Sequence, residues 1–124
     1  MTPLEIKRIA QRFRNDDERE RRTLLRLHRA ARGELQRCVE AARSFSEVHR
    51  IWTWGSILYP ERFREYSDID MCIAGVEDPV TWGVIERRLL EIVTFPLDLV
   101  RYEGLLDEDR RRIQQHGALL YESD

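Results

Sequence analysis

Cysteine is scarce in this chain. Only Cys38 and Cys72 are present, without a CxxC spacing, which excludes a disulfide scaffold or a zinc ribbon and reads as reduced structural thiols of a cytoplasmic protein. Histidine is nearly as rare: His28, His49 and His116 stand apart, with neither an HxxxH nor an HxH pattern, so no zinc site is expected. Long apolar runs are missing as well. Nothing approaches the ~18 residues of a membrane span, and the opening MTPLEIKRIA lacks the apolar core of a signal peptide. Internal repeats and low-complexity segments are absent.

What the sequence does have is charge. Of 124 residues, 42% are hydrophobic and 35% charged, the balance of one soluble globular domain. The net charge of -2 hides an asymmetry. Residues 1–45 hold 12 Lys/Arg against 7 Asp/Glu, a net of +5, and residues 46–124 hold 9 against 16, a net of -7. Carboxylates interspersed through the basic half point to a solvated helix surface, so direct nucleic-acid binding is not expected. The acidic half suits a metal site.

Periodicity divides the chain into elements. Thr2-Pro3-Leu4-Glu5 is a helix start: Thr2 caps, Pro3 takes the first helical position and Glu5 closes a capping box. Ile6, Ile9, Ala10 and Phe13 make one apolar face. Asn15-Asp16-Asp17-Glu18 is expected to end that helix and start another over about 17–45, with Gly33 a point of interruption. The second helix buries Leu24, Leu27, Ala31, Leu35, Cys38, Ala42 and Phe45 at steps of 3 or 4. From residue 46 the period changes. Strands are expected at Val48–Trp54, Ile69–Ala74, Leu97–Tyr102 and Ala118–Tyr121. A helix capped by Asp78 with Pro79 at its first position, and a last one capped by Asp107 and ending near Gly117, separate them. The resulting order, α-α-β-β-α-β-α-β, predicts an α/β fold: a small mixed β-sheet flanked by helices, with an N-terminal helical extension over 1–33 and the main domain over 34–124.

The chemistry is concentrated in the aspartates. Asp68 and Asp70 sit at i and i+2, which on a strand places both on one face, about 6.5–7 Å apart at Cα. Carboxylates so close repel one another unless a cation neutralises them, and an all-oxygen site suits Mg²⁺ or Mn²⁺. Asp98 sits between Leu97 and Leu99, a costly place for a charge that is neither paired nor metal-bound. If its strand neighbours the one carrying Asp70, the three carboxylates could hold two metals roughly 3.5–4 Å apart, the arrangement that clamps the attacking and leaving oxygens of a nucleotidyl transfer. Upstream, Gly55-Ser56 ends a strand; glycine lets backbone amides approach a phosphate, and serine adds a hydroxyl donor. Either motif alone is a weak signal, a turn or a cap being as common. Their combination in this order is far more specific.

With Gly55-Ser56, Ser67-Asp68-Ile69-Asp70 and Pro96-Leu97-Asp98-Leu99-Val100, the sequence resembles the minimal nucleotidyltransferase (MNT) branch of the DNA polymerase beta-type nucleotidyltransferase superfamily. The ending IQQHGALLYE, residues 113–122, also resembles that family's closing helix, glycine and strand, and the likeness covers about residues 34–122. The resemblance implies a small α/β sheet domain that transfers a nucleotidyl group from a nucleoside triphosphate to a hydroxyl. Asp68, Asp70 and Asp98 would then be catalytic and bind Mg²⁺ or Mn²⁺, with Asp98 also deprotonating the acceptor. Gly55, Ser56 and Ser67 would bind the nucleotide. It further implies an antitoxin that adenylylates a tyrosine of a HEPN-domain toxin, with ATP as substrate.

The eleven-residue spacer Ile57–Ser67 departs from the family. It lacks the small-Arg-Gly segment that follows Gly-Ser there, and Ile57-Leu58-Tyr59-Pro60-Glu61 is bulky. Arg62 or Arg64 could supply the missing phosphate-neutralising charge, or lie solvated on the surface. This departure keeps a second expectation open: a catalytically inactive module with the same fold that neutralises its partner by contact. Small-molecule adenylylation is a third reading, weakened by the absence of a second domain to form a substrate cleft. Trp52, Trp54 and Trp82 read as core residues rather than base-stacking platforms, Tyr59 and Tyr66 as loop residues, and Arg110-Arg111-Arg112 as a solvated face. The N-terminal helices serve as an arm for a homo-oligomer or another partner, or simply cover the core.

Overall fold

A computed structural model describes all residues, 1–124. Its first element is one unbroken helix, α1 (Pro3–Ala42), where two had been expected. The Thr2–Glu5 capping box starts it as anticipated, with the Thr2 hydroxyl accepting the Glu5 amide at 3.2 Å and Glu5 accepting the Thr2 amide at 3.3 Å. Asn15 to Glu18 does not interrupt it. Two of the side chains bond along the helix instead: Gln11 donates to Asn15 at 3.0 Å, and Arg19 pairs with Asp16 at 2.6 Å. Asn and Asp cost only about 0.7 kcal/mol each in a helix interior, less than breaking its hydrogen-bond ladder. Gly33 lies within the same helix, so the continuity extends across the expected boundary after residue 33.

The strands are β1 (Arg50–Trp54), β2 (Ile69–Ala74), β3 (Leu97–Arg101) and β4 (Ala118–Glu122). Between β2 and β3 runs α2 (Pro79–Ile92), and between β3 and β4 runs α3 (Asp107–His116). The sheet order is β3-β2-β1-β4. β1 pairs antiparallel with both neighbours, with a bulge against β4 between Ile51 and Trp52, while β2 and β3 are parallel and joined by α2. Val48 falls outside β1; its amide instead closes a turn on the Phe45 carbonyl at 3.1 Å. Asp78 caps α2 as expected, accepting from the Val80 amide and the Thr81 hydroxyl. Asp107 does not cap α3. The cap is Leu106, with no side-chain bond, and Asp107 occupies the first helical position.

α1 and α2 cover one face of the sheet. Ala31, Leu35, Cys38 and Ala42 of α1 and Ile85 and Leu89 of α2 bury Ile51, Ile69, Met71 and Ile73. Glu34 fastens α1 to the loop before β3: its buried carboxylate accepts the Thr94 amide and hydroxyl, both at 2.6 Å, and the Phe95 amide at 3.2 Å. Burial acts to raise the Glu34 carboxyl, but these bonds and nearby Arg37 outweigh it and hold it below the usual carboxylate range.

The second face is only partly covered. Trp52, Cys72 and Ala74 pack against Ile113 of α3, and Trp52 stacks on Tyr102 with ring centroids 4.9 Å apart. Arg110 is half-buried rather than on a fully solvated face. It lies over the Tyr102 ring at 5.0 Å and donates to the Tyr102 and Glu103 carbonyls, whereas Arg112 does face solvent, paired with Glu108. The two free thiols occupy opposite faces of the sheet. Burial pushes Cys38 up to about 11 and Cys72 to about 12, so both stay protonated and unreactive.

Candidate functional site

Strand alternation determines where the aspartates go. With Ile69, Met71 and Ile73 in the core, Asp70 must emerge on the partly open face. The parallel register then pairs Asp70 with Asp98, one strand spacing away, about 4.8 Å. Asp68 lies two residues before Asp70, just outside the strand, and is exposed, as is Asp98. Asp70 is half-buried between them. Burial first, and then the charges of Asp98 and Asp68, push its carboxyl up to about 7.

Gly55 lies against this group. β1 pairs Trp54 directly with Asp70, and the chain turns at Gly55 with φ +83° into a 3-10 turn, Gly55–Leu58. A Cβ built on Gly55 would overlap Asp70 Oδ2, so the position requires glycine for both its backbone conformation and its lack of a side chain. Thr53, buried beneath, donates its hydroxyl to the Asp70 carbonyl at 2.6 Å and fixes the strand from below.

The spacer is anchored, not loose. Ile57 and Phe63 are buried in the main core. His28 of α1 places Nε2 2.6 Å from the Ile57 carbonyl and sets its ring edge-on to Phe63, which in turn meets Phe95 edge-on. The Ser67 hydroxyl accepts the Arg64 amide at 2.8 Å, and the Ser67 amide returns to the Arg64 carbonyl at 3.0 Å, closing the turn that delivers Asp68. The Arg64 guanidinium donates to the Glu61 and Phe63 carbonyls, and Arg62 stacks on Tyr59 at 4.7 Å. Ser56 sits half-buried in the turn and its carbonyl accepts the Tyr59 amide at 2.9 Å.

Gly55, Asp70 and Asp98 are thus brought together, with Asp68 and Ser56 at the margins; Ser67 is occupied in the loop. Sequence reasoning missed His28, Thr53 and Phe63. His28 carried a readable signal, since it falls on the helical face of Leu24, Ala31 and Leu35. Thr53 and Phe63 carried none, because their roles depend on pairing across the sheet and on the path of the spacer.

The carboxylates fit a hard divalent cation by donor type, and the raised Asp70 carboxyl marks a place where positive charge is wanting. They do not form a closed cage: no three His, Cys, Asp or Glu side chains stand close enough together to hold a metal ion.

A mixed sheet in the order β3-β2-β1-β4, with a glycine turn after β1 set against a carboxylate of β2, is the nucleotidyltransferase fold. No protein-family model matches the sequence, and no curated protein does either. Solved structures do share the fold. The crystal structure of a toxin–antitoxin with AMP-PNP matches at TM-score 0.57 and 18% identity, over 68% of this chain and 70% of that one. The toxin–antitoxin MntA-HepT matches at TM-score 0.55 and 15% identity, over 74% and 73%. The tri-AMPylated Shewanella oneidensis HEPN toxin in complex with MNT antitoxin matches at TM-score 0.55 and 16% identity, over 75% and 73%. No helix of the chain is long and apolar enough to cross a membrane.

Proposed function

We propose that this protein is a metal-dependent nucleotidyltransferase that moves AMP from ATP to a tyrosine hydroxyl of a HEPN-type toxin, acting as its antitoxin. The observation that carries this reading is the pairing of Asp70 with Asp98 on parallel strands, with Gly55 held against Asp70. The fold shared with an MNT antitoxin in complex with an AMPylated HEPN toxin, and with a toxin–antitoxin structure holding AMP-PNP, supports it.

In this reading Asp68, Asp70 and Asp98 hold Mg²⁺ or Mn²⁺, which when bound supplies positive charge to the triphosphate and the developing alkoxide. Gly55 keeps the floor beneath the phosphates clear of a side chain, and Ser56 offers a hydroxyl donor beside it. Ser67 shapes the turn that presents Asp68 and adds to the nucleotide-facing rim. Asp98 accepts the proton of the acceptor hydroxyl as its oxygen bonds to the α-phosphorus and pyrophosphate departs. Residues 1–33 act as an extension whose last turns, through His28 and Ala31, pack onto the transferase unit of 34–124, in a cytoplasmic protein.

One observation favours a second reading, an inactive module that neutralises the toxin by contact. The spacer is bound into the core through Ile57, Phe63 and His28, and Arg64 is tied to its own loop, which leaves few free groups to grip a triphosphate.

ATP labelled at the α-phosphate in one reaction and the γ-phosphate in another, incubated with Mg²⁺ and the copurified toxin, separates the two. Transfer from the α position only, lost in Asp68→Asn, establishes nucleotidyl transfer. Stable toxin binding with no transfer establishes the contact-only module.

A further inference from the structure

The first third of α1 touches nothing. Residues 1–9 and 11–23 are exposed and Ala10 is only half-buried, while the spacer residues Pro60, Glu61 and Arg64 line one cleft with α1 from Asp17 onward. Residues 3–14 therefore project roughly 18 Å as a free helical tip, at about 1.5 Å per residue. This tip is not polar all round. Ile6, Ile9 and Phe13 are 54%, 36% and 65% exposed and, with Ala10, lie at i, i+3, i+4 and i+7, so they form one row. That spacing is the pattern by which an amphipathic helix inserts its anchors into a groove. Lys7, Arg8, Arg12 and Arg14 flank the row, against Glu5 alone.

We propose that this tip is a docking helix that inserts Ile6, Ile9 and Phe13 into an apolar groove with an acidic rim on a partner protein. Charge selects among possible occupants. A second copy is disfavoured because continuation of the row brings Asp17 and Glu20 into the seam of a parallel pair, each opposite itself. Antiparallel pairing fares no better, since it opposes the flank of Lys7, Arg14 and Arg21 to its own copy. An anionic membrane is disfavoured because Asp16, Asp17, Glu18 and Glu20, immediately after the tip, would be held near the headgroups. An acidic-rimmed groove receives the apolar row and its basic flanks while those carboxylates stay outside in solvent.

The proposal rests on the reading above in one respect: the partner tested is the HEPN-type toxin that copurifies with the wild-type chain. Full-length Phe13→Asp and the fourfold reversal of Lys7, Arg8, Arg12 and Arg14 to Glu are compared with wild type for toxin affinity. Gln11→Ala, on the opposite side of the helix, is the control. The expected result is a loss of about tenfold or more for Phe13→Asp, a comparable loss for the reversal that is largest at low salt, and no change for Gln11→Ala, with helicity retained in all three. Equal affinity of wild type and Phe13→Asp overturns the docking helix while leaving the proposed function standing. If wild type holds no toxin, both fall. Light scattering that shows a wild-type dimer lost in Phe13→Asp overturns the proposal in favour of a second copy, and cosedimentation with phosphatidylserine vesicles lost in Phe13→Asp overturns it in favour of a lipid surface.

Discussion

Asp70 and Asp98 are register partners on parallel strands, carboxylate beside carboxylate, with nothing positive between them. The half-buried Asp70 bears the consequence, its carboxyl rising to about 7 through burial and the charges of Asp98 and Asp68.

Stability should therefore fall as pH rises. The folded state binds a proton at Asp70 that the unfolded state releases near 3.8, so the favourable contribution is complete below that value and is lost as pH passes through about 7. Asp70→Asn removes the penalty. After discounting for solvent screening, the variant should be more stable by about 1–2 kcal/mol at about pH 8, the gain fading toward about pH 4. Thermal melts at the two pH values test this; an equal gain at both would show that repulsion is not the cause. Mg²⁺ should raise the melting temperature of wild type at the higher pH and leave Asp70→Asn unmoved.

Gly55→Ala should damage the site more than the fold. The methyl displaces Asp70 Oδ2, and φ +83° is unfavourable for alanine, a backbone cost of about 1–2 kcal/mol. Urea denaturation should show that modest loss, while titration with Mg²⁺ and ATP should show no binding. Retained affinity would remove Gly55 from the nucleotide floor.

His28→Ala should loosen the spacer. It strips a buried ring, 6% exposed, from Phe63 and leaves the Ile57 carbonyl without its partner, a loss of about 2–4 kcal/mol. Hydrogen exchange should accelerate first at the Tyr59 and Phe63 amides. Unchanged protection there would show that the core side chains alone hold the loop.

Glu34→Ala should cost about 2–4 kcal/mol, because two backbone amides and a hydroxyl lose their acceptor in a site where the carboxylate is 5% exposed. The pH dependence runs opposite to that of Asp70. The folded Glu34 carboxyl lies below its ordinary value of 4.5, so its contribution is present above that value and disappears as pH falls through the lower folded one. Wild type and Glu34→Ala should converge in stability in acid; a constant gap would assign the effect to packing.

Asp70 was legible because a carboxylate between core residues looks anomalous without knowledge of its neighbours, whereas Asp98, flanked by leucines, turns out exposed on the strand and matters through its register with Asp70 instead. The succession of the four strands along the chain was legible through the change of period after residue 46; their order in the sheet was not. Two other features were not. Asn15 to Glu18 have the composition of a helix break, yet the Asn15 and Asp16 side chains find partners one turn away, an outcome decided by rotamers rather than residue type. The bulk of Ile57-Leu58-Tyr59-Pro60-Glu61 sets the spacer apart in the sequence, but that the core receives Ile57, and with it Phe63, depends on the packing of the sheet and α1 around them.

The position of β1 has a consequence for assembly. It is the hub of the sheet, yet its two partners become available at very different times: β2 follows after fourteen residues, β4 only after sixty-three. Until residue 118 has emerged, the outer amides and carbonyls of Arg50–Trp54, a short segment with two tryptophans, have no strand to pair with. The late strand thus serves as a seal, and chains that lose it should be lost to aggregation before their activity can be measured.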